Sequence, residues 1–476
     1  MPPLPLGGHL ILPLNRPQYV MSPEALTTAL AWSLYTAEPA ARDGDERAVA
    51  LIYRTDPLET QHLIFTPTEP SGDGLEAFGD ALREAGVTSE GPASQLGSAV
   101  ANALAGIQAE KSGRQPAAPL TPGLAMLQNM QGLQAARNPP AFAAILEALH
   151  ELGGDPGGPS ATAASLWRDA TERRMATDPL VRSIDAAVVA ALLADRKMQK
   201  VQQAPLLYGD ATQWSGLLPK TPFCWFARMW TKLTSDPWVD ALPPRVWADW
   251  ASTVLRMAFG MGFLWEAAWY EHLARTLQQD NAPEWMELVS SVPDILPWRQ
   301  ASSPISHRTV ASILGWRVRR GALIRTHLSK WLASAAASDE PLDAVLAAMR
   351  SDAKLSQDLR DDLGSRARGA ANLWEAIRYT LLVREQFGPY ADYYGLLRSR
   401  RGGYLTIDPA TEWIAVVASL ECPEPGGQTD VGAVVAGLDM MGLRPPLADL
   451  IALLEKAGMA RGSADADQGV IVESAF

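Results

Sequence analysis

Tryptophan is concentrated in the middle of the chain. Of the sixteen tryptophans, twelve lie between Trp214 and Trp331, and pairs such as Trp247 and Trp250 fall at helical spacing. Large aromatic side chains dominate the energetics of cores and interfaces, so this density predicts a thick helical core or a groove for a partner protein. A ligand cage built from aromatic rings is the alternative interpretation.

Length and composition indicate a globular protein. The chain has 476 residues, 47% of them hydrophobic, which is enough for several domains and a large core. Cys224 and Cys422 are too few for a disulfide framework and indicate a reducing compartment. The N-terminus lacks the basic region of a signal peptide, and no apolar run reaches the roughly 20 residues that cross a bilayer. We therefore expect a cytoplasmic protein, and the bias toward Ala, Gly, Pro and Arg indicates a bacterial one.

Helical periodicity dominates the chain, and breaks divide it into four ranges. Residues 1–88 predict a small α+β domain, and residues 89–159 a linker-like region with weak helices. Residues 160–404 predict a tryptophan-rich helical domain, and residues 405–476 a separate C-terminal domain. The predicted fold class is therefore mostly α and multidomain.

The first range contains both helix and strand signals. Ser22–Ala37 and Gly74–Ala85 have the periodicity of helices. Ala48–Tyr53 and His62–Phe65 are strand candidates that look like an antiparallel pair, and His9–Pro13 is a further strand candidate.

Three helix candidates and two short strand candidates follow one another between Asp408 and Phe476. Asp408 provides an N-cap acceptor before the first helix, Thr429 caps the second, and Pro445 begins the third. Their predicted inward positions are Trp413, Val416, Val417 and Leu420, then Val431, Val434, Val435 and Leu438, then Leu447, Leu450, Ile451 and Leu454. The strand candidates, residues 459–461 and 470–472, flank a polar turn at residues 463–469, and this arrangement predicts a wing.

This order of three helices and a terminal hairpin resembles the winged helix-turn-helix superfamily. The resemblance implies a third helix that enters the major groove of DNA in many members and contacts proteins in others. Base reading favours Arg, Lys, Asn and Gln, whereas the outward positions here include Pro446, Asp449 and Glu455. Residues 408–476 also hold eleven acidic and only three basic residues, a balance that repels DNA. We therefore predict that Pro446, Asp449 and Glu455 dock onto a protein surface. The chain's own basic residues are one candidate for that surface.

Residues 306–404 are the most basic part of the chain, with sixteen basic and ten acidic residues. If Ser306–Ala336 is one continuous helix, Arg308, Arg319 and Lys330 share a face that could follow a phosphate backbone. The candidate nucleic-acid contacts are Arg308, Arg317, Arg319, Arg320, Lys330, Arg398, Arg400 and Arg401. The alternatives are a solvated helix face or a cradle for the chain's own acidic ranges.

Catalytic and metal-binding motifs are weak in this sequence. It has no Gly-Lys-Ser/Thr phosphate loop, no His-Glu-x-x-His, no Gly-x-Ser-x-Gly and no Cys-x-x-Cys. Glu147 and His150 match the Glu-x-x-His spacing of a carboxylate-bridged metal centre, but the second match, Glu59 and His62, leads into a strand candidate. We therefore predict no catalytic residue, metal site, cofactor or small-molecule ligand.

These observations predict a non-catalytic adaptor or scaffold subunit of a bacterial cytoplasmic assembly. Because winged helices are frequent in DNA-processing machines, we expect the assembly to act on nucleic acid, as in antiviral defence or DNA maintenance. ATPase, helicase or nuclease activity would then belong to other subunits. The first alternative is a DNA-binding protein that contacts phosphates through residues 306–404. The second is an enzyme with an unfamiliar site in the helical domain.

Overall fold

The computed structural model describes residues 5–17, 23–39, 49–53, 61–65, 72–105, 118–127, 142–154, 161–193, 198–202, 211–279, 283–292, 294–299, 302–364, 370–384, 391–462 and 469–476. These residues are mostly helical, as predicted, and they include several small antiparallel sheets. No helix among them is long and apolar enough to span a bilayer.

The helices fall into three groups along the chain. Those before residue 200 are α1 Glu24–Leu34, α2 Asp73–Glu84, α3 Ala93–Leu104, α4 Pro122–Leu127, α5 Phe142–Leu152, α6 Ala163–Thr177 and α7 Pro179–Ala187. Those of the central part are α8 Pro222–Leu233, α9 Asp236–Ala241, α10 Pro244–Thr276, α11 Trp285–Ser290, α12 Ile305–Arg308, α13 Ala311–Ala335, α14 Leu342–Ser351, α15 Ala353–Gly364 and α16 Ala371–Leu381. The last group is α17 Thr411–Glu421, α18 Val431–Met440 and α19 Leu447–Lys456.

The longest helix, α10, lies at the centre of the fold. Pro244 at its first position needs no hydrogen-bond acceptor and favours helix initiation. Almost every residue of α10 is buried, and α8, α13 and α16 pack around it. A Cβ atom on Gly321 would lie 2.6 Å from the Ala267 Cα atom, so α13 crosses α10 at a separation that only glycine permits.

Tryptophan side chains fill the space between these helices. Trp265 and Trp269 stack with an interplanar angle of 7° and a centroid distance of 5.7 Å. The buried indole N–H of Trp230 donates to the carbonyl of Ala163, and that of Trp269 to the carbonyl of Leu10. The rings therefore fill the core while their N–H groups hold separate segments together.

The strands among the described residues form four small sheets. They are β1 Tyr35–Pro39, β2 Val49–Tyr53, β3 Gln61–Phe65, β4 Met198–Gln202, β5 Leu397–Arg400, β6 Tyr404–Ile407, β7 Gln428–Asp430, β8 Ala460–Gly462 and β9 Val470–Glu473. The predicted pairing of the second and third strands is wrong, because β2 pairs with β1 and β3 pairs with β4. The rings of Tyr35 and Tyr53 are cross-strand neighbours with centroids 4.9 Å apart, which favours the β1–β2 pair.

The predicted strand at His9–Pro13 is also absent from the described residues. Gly7–Leu10 forms a 3₁₀ helix instead. The backbone N–H of Leu12 donates to the hydroxyl of Tyr270, and Arg325 donates to the carbonyl of Leu14. Side chains of α10 and α13 thus satisfy the backbone of this segment, which needs no strand partner.

In the C-terminal range, three helices are followed by two strands of a three-stranded sheet. The sheet has the antiparallel order β7-β9-β8, so β7, which precedes α18, joins the terminal hairpin. The first helix begins at Thr411 and not at Asp408. Asp430, and not Thr429, caps α18 by accepting from the N–H of Ala433. The polar turn proposed as a wing lies, apart from Gly469, outside the described residues.

The buried apolar core is continuous through the predicted ranges. A single cluster of contacting buried side chains includes Leu12, Leu124, Trp250 and Val472, which come from all four ranges. The boundaries drawn at residues 88, 159 and 404 therefore remain predictions.

Candidate functional site

The acidic C-terminal range, residues 405–476, docks through α17 on the described helices between residues 160 and 404, which we call the helical body. Trp413 is fully buried, and its indole N–H donates to the Met257 sulfur at 3.3 Å. The Lys232 ammonium donates to the carbonyls of Leu420 and Cys422, both at 2.8 Å, at the C-terminal end of α17. A cation at this end is favoured because unpaired carbonyls converge there.

An ion pair strengthens the same contact. The Arg228 guanidinium donates to both carboxylate oxygens of Glu421 at 2.8 Å. Burial raises the pKa of Glu421, and the positive charges of Arg228 and Lys232 oppose that shift. The C-terminal range is thus held by charge as well as by apolar contact.

The turn between α18 and α19 forms a second contact with the body, which we call the junction. Gly442 has φ +72°, and a Cβ atom there would lie 2.3 Å from the Ile295 Cδ1 atom. Arg444 donates at 2.6 Å to Asp439 and at 2.6 Å to Asp294, which belongs to the loop after α11. The junction therefore needs glycine at 442, and it fixes the turn through a shared arginine.

Helix α19 presents one face to solvent, which we call the α19 face. Leu450 and Leu454 face inward as predicted, and the main contacts of the helix are with α17 and β8. The exposed residues of the α19 face are Leu447, Ala448, Ala452, Glu455 and Lys456. Pro446 is the half-buried N-cap residue, and Asp449 is half-buried and interacts within the molecule.

The prediction that Leu447 points inward is wrong. Its side chain is 53% exposed. A helical side chain leans over the turn that precedes it, and Leu447 is the first residue of α19, after Pro445 and Pro446. It therefore has no preceding turn of its own helix to cover. Val435 of α18, also predicted inward, is 38% exposed.

The predicted continuous helix at Ser306–Ala336 is interrupted. Helix α12 ends at Arg308, and α13 begins at Ala311, because Thr309 adopts an extended backbone. Thr309 forms an isolated antiparallel bridge with Thr406 of β6. Arg308 therefore does not share one helix face with Arg319 and Lys330.

Two of the predicted phosphate contacts on α13 pair with a buried carboxylate. Arg317 and Arg320 each lie 3.5 Å from the carboxylate of Glu271 on α10. Arg317 also donates to the backbone carbonyls of Asp294 and Ile295. Arg317 therefore holds the loop that carries Asp294, the acceptor of Arg444.

The other α13 candidates differ in exposure. Arg319 is buried, and its Nε atom has no hydrogen-bond partner among the described residues. Lys330 is exposed near the end of the helix. His327 of the same helix, which is not one of the candidates, has its ring nitrogens 3.5 Å from the carboxylates of Asp358 and Asp362 on α15.

The second basic cluster is part of a hairpin. Arg398 and Arg400 lie on β5, and both contact Asp408 after β6, Arg398 at 3.5 Å. This contact also explains why Asp408 does not cap α17. Arg401 is exposed in the turn between the two strands. Of the eight predicted phosphate contacts, Lys330 and Arg401 are exposed and form no ion pair within the described residues.

Glu147 and His150 have separate structural roles. The Glu147 carboxylate accepts from the N–H groups of Ala163 and Ala164 at 2.7 Å, at the start of α6. Burial raises the pKa of Glu147 to about 7, against the effect of these donors. The His150 ring packs edge-on against Phe226, and burial lowers its pKa to about 4. No group of three or more potential metal ligands occurs in the described ranges.

Sequence reasoning missed the junction. Asp294 and Arg444 are 150 residues apart in the sequence, and no local pattern connects them. The available signal is Gly442, because a glycine after a helix indicates a C-terminal stop but not what that stop packs against. Comparison with known protein families, curated proteins and solved structures found no match to this chain.

Proposed function

We propose that the chain is a non-catalytic adaptor whose C-terminal range is a winged helix that binds another protein. The helix order, together with a sheet in which β7 joins the terminal hairpin, supports the winged-helix assignment. We further propose that the protein is a subunit of a bacterial cytoplasmic assembly that acts on nucleic acid, for instance in antiviral defence or DNA maintenance.

The α19 face is the observation that carries this proposal. In DNA-binding members of the superfamily the third helix reads base edges. Here the corresponding face combines an exposed leucine, Leu447, with two alanines and Glu455, and Lys456 is its single cation. Exposed apolar side chains beside a carboxylate suit a protein surface better than a polyanion.

The placement of the arginines supports the same choice. Arg317, Arg320, Arg398 and Arg400 each have a carboxylate partner inside the molecule. A guanidinium that neutralises an internal carboxylate contributes less to phosphate binding, because the ion pair must first be broken. The basic character of residues 306–404 is therefore accounted for largely by ion pairs with acidic side chains of the same molecule.

Leu447→Glu and Glu455→Lys test the proposal. Both should reduce stoichiometric co-purification of protein partners from the native host about tenfold or more. Leu447→Glu replaces the exposed apolar side chain of the α19 face by a charge, and Glu455→Lys reverses the charge of its carboxylate. Leu180→Glu is the matched control, since Leu180 is also 53% exposed but lies on α7.

DNA binding provides the contrary outcome. We expect no binding of duplex DNA at ~50 mM salt, where phosphate contacts are strongest. Salt-sensitive binding that Lys456→Ala or Leu447→Glu abolishes would restore a DNA-reading role for α19. Partner recovery that is equal for all three variants would remove the α19 face from the interface.

A further inference from the structure

A cavity of ≈ 450 Å³ lies at the junction, between the C-terminal range and the helical body. Its walls come from the turn before α8, from α10, from α11 and the loop after it, and from the α18–α19 turn. The apolar part of the lining includes Trp265, Val289, Ile295 and Met440. Cavities of this size are common at sites that enclose a ligand group.

The walls of the cavity are held in place by the contacts that build the junction. Trp265 is fixed by its stack on Trp269. Gly442 lies against Ile295 with no room for a Cβ atom, and Arg444 bridges Asp294 and Asp439. The cavity is therefore preformed, and a group that enters it does not need to reorder its walls.

The charges around the cavity favour a positive group. The carboxylates of Glu287, Asp294 and Asp439 line it, against the cations of Lys220 and Arg444. Arg444 donates to both aspartates, but its single charge can balance only one of them, so the lining keeps one carboxylate in excess of its cations. The C-terminal range that forms one wall is itself strongly acidic. An apolar group beside a positive charge is the best complement to this lining.

An exposed apolar side chain lies at the rim of the cavity. Met286 lines it and is 53% exposed, so this side chain forms part of the rim. A large exposed apolar side chain at the edge of a preformed cavity is typical of protein interaction sites.

We propose that this cavity receives a large apolar side chain from a partner protein, in a segment where that side chain adjoins a lysine or arginine. The apolar side chain lies against Trp265 and Ile295, and the neighbouring cation lies near Glu287. The inference rests on the proposed adaptor function and adds the chemistry of the partner segment.

Binding of a fluorescently labelled peptide of leucine and lysine to the full chain tests this inference, with a leucine–glutamate peptide for comparison. Ser290→Trp places a large ring in the cavity and should weaken binding of the basic peptide about tenfold or more. Ser351→Trp is the matched control, because both serines are exposed, end a helix and donate to the carbonyl three residues earlier.

Charge variants keep the inference testable if Ser290→Trp fails to fold. Glu287→Lys should weaken binding of the basic peptide several-fold, whereas Lys220→Glu should strengthen it. Glu284→Lys, at the N-cap of the same helix but outside the cavity lining, is the control for net charge. A loss of fold cannot produce the opposite responses of the Glu287 and Lys220 variants.

The inference is overturned if the basic peptide does not bind saturably, if the acidic peptide binds as well, or if Ser290→Trp folds and binds normally. These outcomes leave the adaptor proposal intact when Leu447→Glu still releases the native partner. Conversely, normal partner recovery by the α19 variants, together with peptide binding that Ser290→Trp abolishes, places recognition at the cavity and not on α19.

Discussion

The Arg256 guanidinium lies inside the apolar core and is fully engaged. It donates to both oxygens of Asp392 at 2.8 Å and to the carbonyls of Thr380 and Leu382. Both side chains of the pair are almost completely buried. A buried pair of this kind adds little net stability over an apolar replacement, but loss of one partner leaves a buried charge that costs about 3–5 kcal/mol. At the residue scale, burial makes the stability of the fold depend on the charge of single ionisable groups.

His150 should make the protein sensitive to acid. Because burial lowers its pKa from 6.5 to about 4, its neutral form is stabilised in the folded state. Its contribution is fully present above pH 6.5 and is lost as pH falls toward 4, by up to about 3 kcal/mol. Relative to the wild type, His150→Gln should therefore gain stability as pH falls from 6.5 to 4, as measured by urea unfolding.

Glu147 acts in the opposite sense and provides the internal control. Its pKa is raised from 4.5 to about 7, so its contribution is present below pH 4.5 and is lost as pH rises to 7. Relative to the wild type, Glu147→Gln should lose stability as pH falls from 7 to 4.5. Parallel curves for the wild type and both variants would contradict the burial of these two groups.

At the scale of elements, α13 acts as an internal clamp. Its arginines reach the buried acids of α10, the N-terminal segment and the loop that carries Asp294. The helix therefore connects the core to the junction, and its basic composition serves contacts within the molecule.

Arg317→Ala combined with Arg320→Ala should destabilise the fold. Glu271 would be left buried without its two counter-charges, which costs about 3–5 kcal/mol. Chemical denaturation measures the change, and Lys330→Ala should remain within about 0.5 kcal/mol of the wild type. Adding Glu271→Gln should recover part of the loss, because it removes the unpaired charge. A stable double variant with weakened DNA binding would instead assign these arginines to phosphate.

Local patterns predicted the C-terminal elements well, and contacts distant in sequence explain the failures. Trp413 and Leu420 are buried as the helical periodicity indicates, and β9 lies within one residue of its prediction. The pairing of β3 with β4 joins segments far apart in the chain, which alternation within one strand cannot reveal. The pairing of Arg398 with Asp408 likewise depends on a hairpin whose register no residue type specifies.

At the scale of the whole molecule, one core connects every range of the chain. The N-terminal segment contacts α10, and α17 packs on α10 from the C-terminal range. Trp413 is the largest fully buried side chain that α17 contributes to this contact. A continuous core couples the stability of its parts, so we expect the wild type to unfold in one cooperative transition.

Trp413→Ala should uncouple the C-terminal range. Replacement of a buried tryptophan by alanine costs about 3–5 kcal/mol, and here the loss falls on the contact between α17 and α10. Residues 411–462 and 469–473 should then exchange their amide hydrogens earlier than the body, whereas in the wild type both exchange together. Trp316→Ala, at a 40% exposed position on α13, is the control for loss of an indole ring. Early exchange of this range in the wild type would mean that the boundary at residue 404 separates independent folding units despite their shared core. The junction cavity would then open whenever the C-terminal range unfolds and close when it refolds.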